Sequence, residues 1–195
     1  MSFLLPAGGA TITDISLQTI TSASSLWTVG GAAVTFGPAA DDVDITGGDD
    51  ACYVTSPLNV DNTSPIIYNY DLDAGTVDNA GCCTGLFNFT EVGTVNHTSS
   101  NNGGLLSMTK SWGLRHSDGD VIYGSGSVGT LSGGGVSASD NVKWKIATDG
   151  TVTIDIEDST EFTFSQKADG ISITFIRAQS NGGRGTLNHF WSYFA

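Results

Sequence analysis

The sequence predicts an all-β chain, an antiparallel β-sandwich or jelly roll, on three observations. Apolar residues recur at every second position in one segment after another. Almost nothing repeats with the period of a helix. Gly, Asn and Asp punctuate the runs. Period two in β-branched and aromatic residues marks strands with one buried face, and the punctuating residues are those that turns require.

The elements follow in chain order. Residues 1–10 read as an extended arm broken by Pro6 and Gly8-Gly9, and residues 11–195 read as one sandwich domain. A first strand is expected over 11–17, then a Ser- and Gly-rich stretch around Trp27. Short strands are expected at 33–36, 43–46 and 52–55, the last two separated by Gly47-Gly48-Asp49-Asp50. A longer strand covers 65–72, with Ile66, Tyr68, Tyr70 and Leu72 on one face. Polar loops at 73–81 and 97–104 flank and follow a strand near 85–92. Alternation resumes over 105–114, and Ser117-Asp118-Gly119-Asp120 turns the chain into 121–123. Residues 124–139 are dominated by Gly and Ser and are either a loop or a glycine-rich edge strand.

The strongest local signal lies at 141–147 and 151–157, where Val142, Trp144 and Ile146 alternate, as do Val152, Ile154 and Ile156. Asp149-Gly150 sits between them, and Asp-Gly between alternating runs marks a hairpin. The same logic predicts a second hairpin from 161–166 and 171–176 about Ala168-Asp169-Gly170. The last strand, 187–194, carries Phe190, Trp191, Tyr193 and Phe194, so dense an aromatic set that it belongs to a core or to a subunit interface.

Composition bounds the function. At 195 residues the chain is long enough for one domain with a proper core. Twenty acidic residues against seven basic ones give a net charge of −13, and the basic residues form no run. Nucleic-acid phosphates and anionic membranes both require concentrated positive charge, so neither is an expected partner. No segment reads as a secretory leader, and no apolar run approaches the ~18 residues of a membrane span. Synthesis in a cytoplasm is expected. Cys52, Cys82 and Cys83 make an odd count with an adjacent pair, which is no disulfide framework, and free buried thiols are expected.

A family resemblance rests on three stretches. They are Trp112-Gly113-Leu114-Arg115-His116-Ser117-Asp118-Gly119-Asp120-Val121-Ile122-Tyr123-Gly124, then Ser137-Ala138-Ser139-Asp140-Asn141-Val142-Lys143-Trp144-Lys145-Ile146, then Asp149-Gly150-Thr151-Val152-Thr153-Ile154. Together they resemble the concanavalin A-like and SPRY-like β-sandwich over residues 65–165, with Asn141 following Asp140 and with Lys145 and Ala147 where small or acidic residues are usual. Domains of this kind occur in virion proteins, bacteriophage ones included, and in glycan-binding modules. The resemblance, with the Gly/Ser/Thr/Asn-rich composition, implies a non-enzymatic structural protein of a virion (capsid decoration, tail or fibre). It would assemble through its termini as a homo-oligomer, a trimer or larger. The alternative it implies is a lectin-like or receptor-binding module that reads cell-surface glycans.

Four kinds of site follow. Trp112, Arg115, His116 and Asp118 stand at the mouth of a loop, where an exposed Trp with Arg and Asp would make a sugar platform; for Trp112 itself a core ring is the stronger reading, since Trp is highly buried on average. Asp71, Asp73 and Asp78 form D-x-D-x-G-x-x-D about Gly75, oxygen ligands that suit Ca2+. Thr153-Ile154-Asp155-Ile156-Glu157 resembles the E-h-D-h-E strand of laminarinase-like glycoside hydrolases. Thr153 stands where the nucleophilic carboxylate would be, and a hydroxyl there cannot perform the displacement of a retaining hydrolase. Asp155 and Glu157 are therefore expected on a solvated strand face. His97, His116 and His189 show no ligand or triad spacing.

Overall fold

The computed structural model describes residues 27–30, 34–36, 43–45, 51–54, 57–61, 63–72, 82–90, 110–137, 140–179 and 186–194. The expected arm at 1–10, the expected strand at 11–17 and the loop at 97–104 lie outside them. Among the described residues there is no α-helix.

Two antiparallel sheets face each other. The first runs, edge to edge, β1 (Trp27–Gly30), β4 (Ala51–Val54), β14 (Ser172–Gln179), β7 (Cys82–Asn88), β8 (Ser111–Arg115), β9 (Asp120–Tyr123) and β10 (Gly126–Thr130), with β5 (Leu58–Asn59) beside β14. The second runs β13 (Ser159–Thr163), β12 (Val152–Ile156), β11 (Asn141–Ile146), β6 (Ile66–Leu72), β15 (Thr186–Phe194), β3 (Val43–Ile45) and β2 (Val34–Phe36). The aromatic strand β15 is interior to the second sheet, paired with β6 on one side and β3 on the other. The glycine-rich stretch after Tyr123 contributes β10, an edge strand, as one of its two readings required.

The alternation read from the sequence fills the space between the sheets. Ile66, Tyr68 and Tyr70 of β6, Val142, Trp144 and Ile146 of β11, and Val152 and Ile154 of β12 meet Leu86, Trp112, Leu114, Val121, Ile173 and Phe175 of the first sheet. The Tyr68 and Tyr70 rings each pack 5.6 Å from Phe175 across the sandwich. Such pairs add about 0.5–1.5 kcal/mol beyond the area they bury. Phe87 and Ile122 are also buried, although alternation turns them away from this core, so the outer face of the first sheet is covered too.

The first predicted hairpin is present. β11 and β12 pair in register from Val142↔Ile156 to Ile146↔Val152, and Gly150 takes φ +80° in the turn between them. The second is not. β13 pairs with β12 through a tight turn at Glu157 and Asp158, which hold φ of 50° and 65°. β14 crosses to the other sheet and pairs with β4, β5 and β7. The crossover is secured by backbone bonds. Ala168 N donates to Gly150 O at 2.8 Å, Gly170 N to Val60 O at 3.1 Å, and Val60 N to Ile171 O at 2.9 Å. Asp169-Gly170 does form a turn, but local turn chemistry does not determine which sheet receives the chain that leaves it.

Candidate functional site

The strand β8 separates the four residues expected to form a sugar platform. Side chains at i, i+2 and i+4 share a face, so Trp112, Leu114 and His116 all point into the sandwich. Trp112 is fully buried, donates its indole N–H to Gln166 O at 3.0 Å, and meets Tyr123 edge-on at 5.5 Å. His116 is fully buried as well. Its Nε2 lies 2.9 Å from Tyr70 Oη and 3.0 Å from Thr84 Oγ1, and the two hydroxyls are 2.5 Å apart. Nε2–H shared between the two hydroxyl oxygens, with one hydroxyl donating to the other, is an arrangement of protons that closes this triangle. The triangle ties β6 of one sheet to β7 of the other.

Arg115 and Asp118 remain at the surface and satisfy each other. Arg115 Nε donates to Asp118 Oδ1 at 2.8 Å, a second guanidinium N–H reaches Asp118 Oδ2, and the same group lies 3.3 Å from Asp120 Oδ2. The Arg115 hydrogen bond holds the Asp118 carboxyl below the usual aspartate value, helped by the Asp120 N–H that Asp118 also accepts. A sugar platform built on Trp112 and His116 is therefore corrected by the structure: neither ring reaches solvent, because the period of the strand aims both inward.

Of the expected calcium ligands, Asp71 stands at the end of β6 and accepts a hydrogen bond from Asn141 Nδ2 at 2.6 Å. Asp73 and Asp78 lie outside the described residues. Among the described residues, no group of three or more His, Cys, Asp or Glu side chains is placed to hold a metal ion.

The outer face of the second sheet holds the densest polar arrangement. Alternation turns Asn69 and Asp71 of β6, Asn141, Lys143 and Lys145 of β11, and Asp155 of β12 away from the core. Asp155 was expected on a solvated face; instead it is almost wholly buried. Lys145 Nζ donates to its Oδ2 at 2.7 Å and Thr160 Oγ1 to its Oδ1 at 2.8 Å, so the diagonal lysine on β11 and the threonine on β13 close over it. Lys143 pairs with Asp158, whose carboxyl this bond holds below its ordinary value. Asn141 N donates to Glu157 Oε1 at 2.6 Å.

Asn69 lies among them, opposite Lys143 on β11 and opposite Trp191 on β15. It is fully buried, and neither its Oδ1 nor its Nδ2 has a hydrogen-bond partner. Asn69, Lys143 and Lys145 were missed by sequence reasoning. Their signal was available: polar residues at the outward positions of the two strands whose inward positions are the most strongly apolar.

No family model and no curated protein matches the chain. Solved structures do match. The SPRY domain of human HERC1 aligns with a TM-score of 0.58 and 13% identity, over 80% of this chain and 92% of that one. The carbohydrate recognition domain of Emp47p aligns with a TM-score of 0.59 and 8% identity, over 86% of this chain and 87% of that one. The PSpry domain of TRIM65 aligns with a TM-score of 0.54 and 11% identity, over 84% and 90%. The fold is a SPRY-like, concanavalin A-like β-sandwich. In this SPRY-like sandwich the two best-formed polar constellations are the buried triangle at His116, between the sheets, and the outer face of the second sheet. Only the second has members, such as Lys145 and Asp158, that reach solvent.

Proposed function

We propose that the chain is a non-enzymatic recognition module that binds glycans on the outer face of its second sheet. One observation carries the reading: that face sets amide, carboxylate and ammonium groups side by side on three adjacent strands. Sugar hydroxyls both donate and accept, and such mixed groups on rigid strands are what orient them. The likeness to a domain named for carbohydrate recognition supports the choice of ligand class. Asp155, enclosed by Lys145 and Thr160, is given to structure rather than to proton transfer, which supports the non-enzymatic reading.

The setting proposed for the module is a virion, made in a host cytoplasm, where it would assemble as a homo-oligomer and present the face to a cell surface. The acidic, Gly-rich composition supports that setting. Two measurements test the proposal. A glycan array probed with the purified chain should give a sugar-dependent signal that Lys143→Ala with Lys145→Ala reduces, and an array with no signal would overturn the glycan reading. Light scattering with calcium and with chelator should give a closed oligomer, and a monomer in both would overturn assembly.

A further inference from the structure

We infer that Asn69 is the buried polar anchor of this face and that the ligand it takes is an uncharged polyol rather than an acidic sugar. The inference rests on the glycan reading above and specifies its ligand and its central residue.

Asn69 occupies the middle of β6, an interior strand of the second sheet. A central strand position favours β-branched or aromatic residues, and asparagine is depleted there. The neighbours on the core face, Tyr68 and Tyr70, follow that preference. Asn69 does not, and its amide is removed from water with an acceptor and two donors unused. A buried polar group with no partner in the protein requires an explanation, and a ligand that supplies the partner is one.

Charge selects the ligand class. The two cations of the face are already engaged, Lys143 with Asp158 and Lys145 with Asp155. Around them stand Asp71, Asp155, Glu157 and Asp158, so the local balance is negative, as is the chain at −13. A sulfate or carboxylate on a sugar would find no free ammonium among the described residues of this face and would meet carboxylates at close range. A neutral ring with adjacent hydroxyls suits an amide, which accepts from one hydroxyl and donates to the next.

The test begins with an array of immobilised neutral glycans beside sialylated and sulfated ones. The strongest ligand is then titrated by calorimetry against the wild type and Asn69→Val, which suits a central strand position and removes the amide. Neutral glycans should bind, Asn69→Val should bind about tenfold or more weakly through loss of the amide contacts, and its melting temperature should hold or rise. Asn69→Ser, checked by circular dichroism, takes its place if the valine variant does not fold, with the same loss expected. Binding confined to acidic glycans overturns the inference and leaves the glycan reading standing. So does neutral binding that Asn69→Val or Asn69→Ser weakens by less than about tenfold, since the acceptor and donors of the amide lost together would reach that. No binding by any glycan overturns both.

Discussion

Replacing Thr84 by valine tests whether the triangle of His116, Tyr70 and Thr84 holds the two sheets together. The substitution keeps the branched shape and removes one hydroxyl. That hydroxyl bonds Tyr70 at 2.5 Å and His116 at 3.0 Å, while the Tyr70–His116 contact of 2.9 Å survives, so neither remaining partner is stranded. Two buried hydrogen bonds lost without an orphan should cost about 1–2 kcal/mol. For a domain of this size that lowers Tm by roughly 2–8 °C. His116→Ala also removes both bonds to Nε2 and leaves a void beside Tyr70, and it should cost about 3–5 kcal/mol. The double variant should cost less than the sum by about 0.5–1 kcal/mol, because the two share a bond. Chemical denaturation of the four proteins measures all three quantities. A Thr84→Val protein as stable as wild type, or strict additivity, would refute the idea that these polar groups act as one unit.

Three further predictions concern the scaffold. A methyl at Gly85 would stand 2.1 Å from Trp112 O, a backbone atom that cannot turn aside, so Gly85→Ala should force β7 and β8 apart and cost more than about 3 kcal/mol, read as a collapsed melting temperature. Asp158→Gly should relieve a left-handed conformation while giving up only an exposed pair to Lys143 and adding freedom to the unfolded chain, so Tm should stay within a few degrees of wild type; a large fall would refute the view that the pair is dispensable. Asp118, Asp149 and Asp158 are held below the ordinary aspartate value by Arg115, Lys167 and Lys143 respectively. Their contribution is therefore complete above about pH 4, the unfolded value, and drains as the pH falls through the lower folded values. All three pairs are exposed, so melts between pH 2 and 5 should show a modest loss that 1 M salt reduces; an acid loss indifferent to salt would refute the assignment.

Much of the fold was legible because burial writes itself into period two. The inward residues of β6, β11 and β12 could be named from the sequence, as could the Asp149-Gly150 hairpin. Partner choice could not. The turn at Glu157 and Asp158 lacks the glycine or asparagine that usually marks positive φ, because Lys143 and the Asn141 backbone hold its side chains from a neighbouring strand. The site was misplaced for a related reason. Trp112 and His116 stood beside a polar turn in sequence, yet strand period aims both into the core. Asn69 was legible as a polar residue at an outward strand position, but its burial and its unmet amide arise only when the sheets assemble.

The order of strands in space also governs how the chain comes off the ribosome. β4 and β7 share β14 as their partner, and β6 is flanked by β11 and β15. Early strands therefore wait, with open edges, for the much later strands β14 and β15. Until residue 179 has emerged, the first sheet has no centre, and until 194 the second has a gap beside β6. Such unpaired edges invite pairing with another chain. Closure of this sandwich thus waits on β14 and β15, and removing Thr186–Phe194 takes out the middle of a sheet rather than its margin.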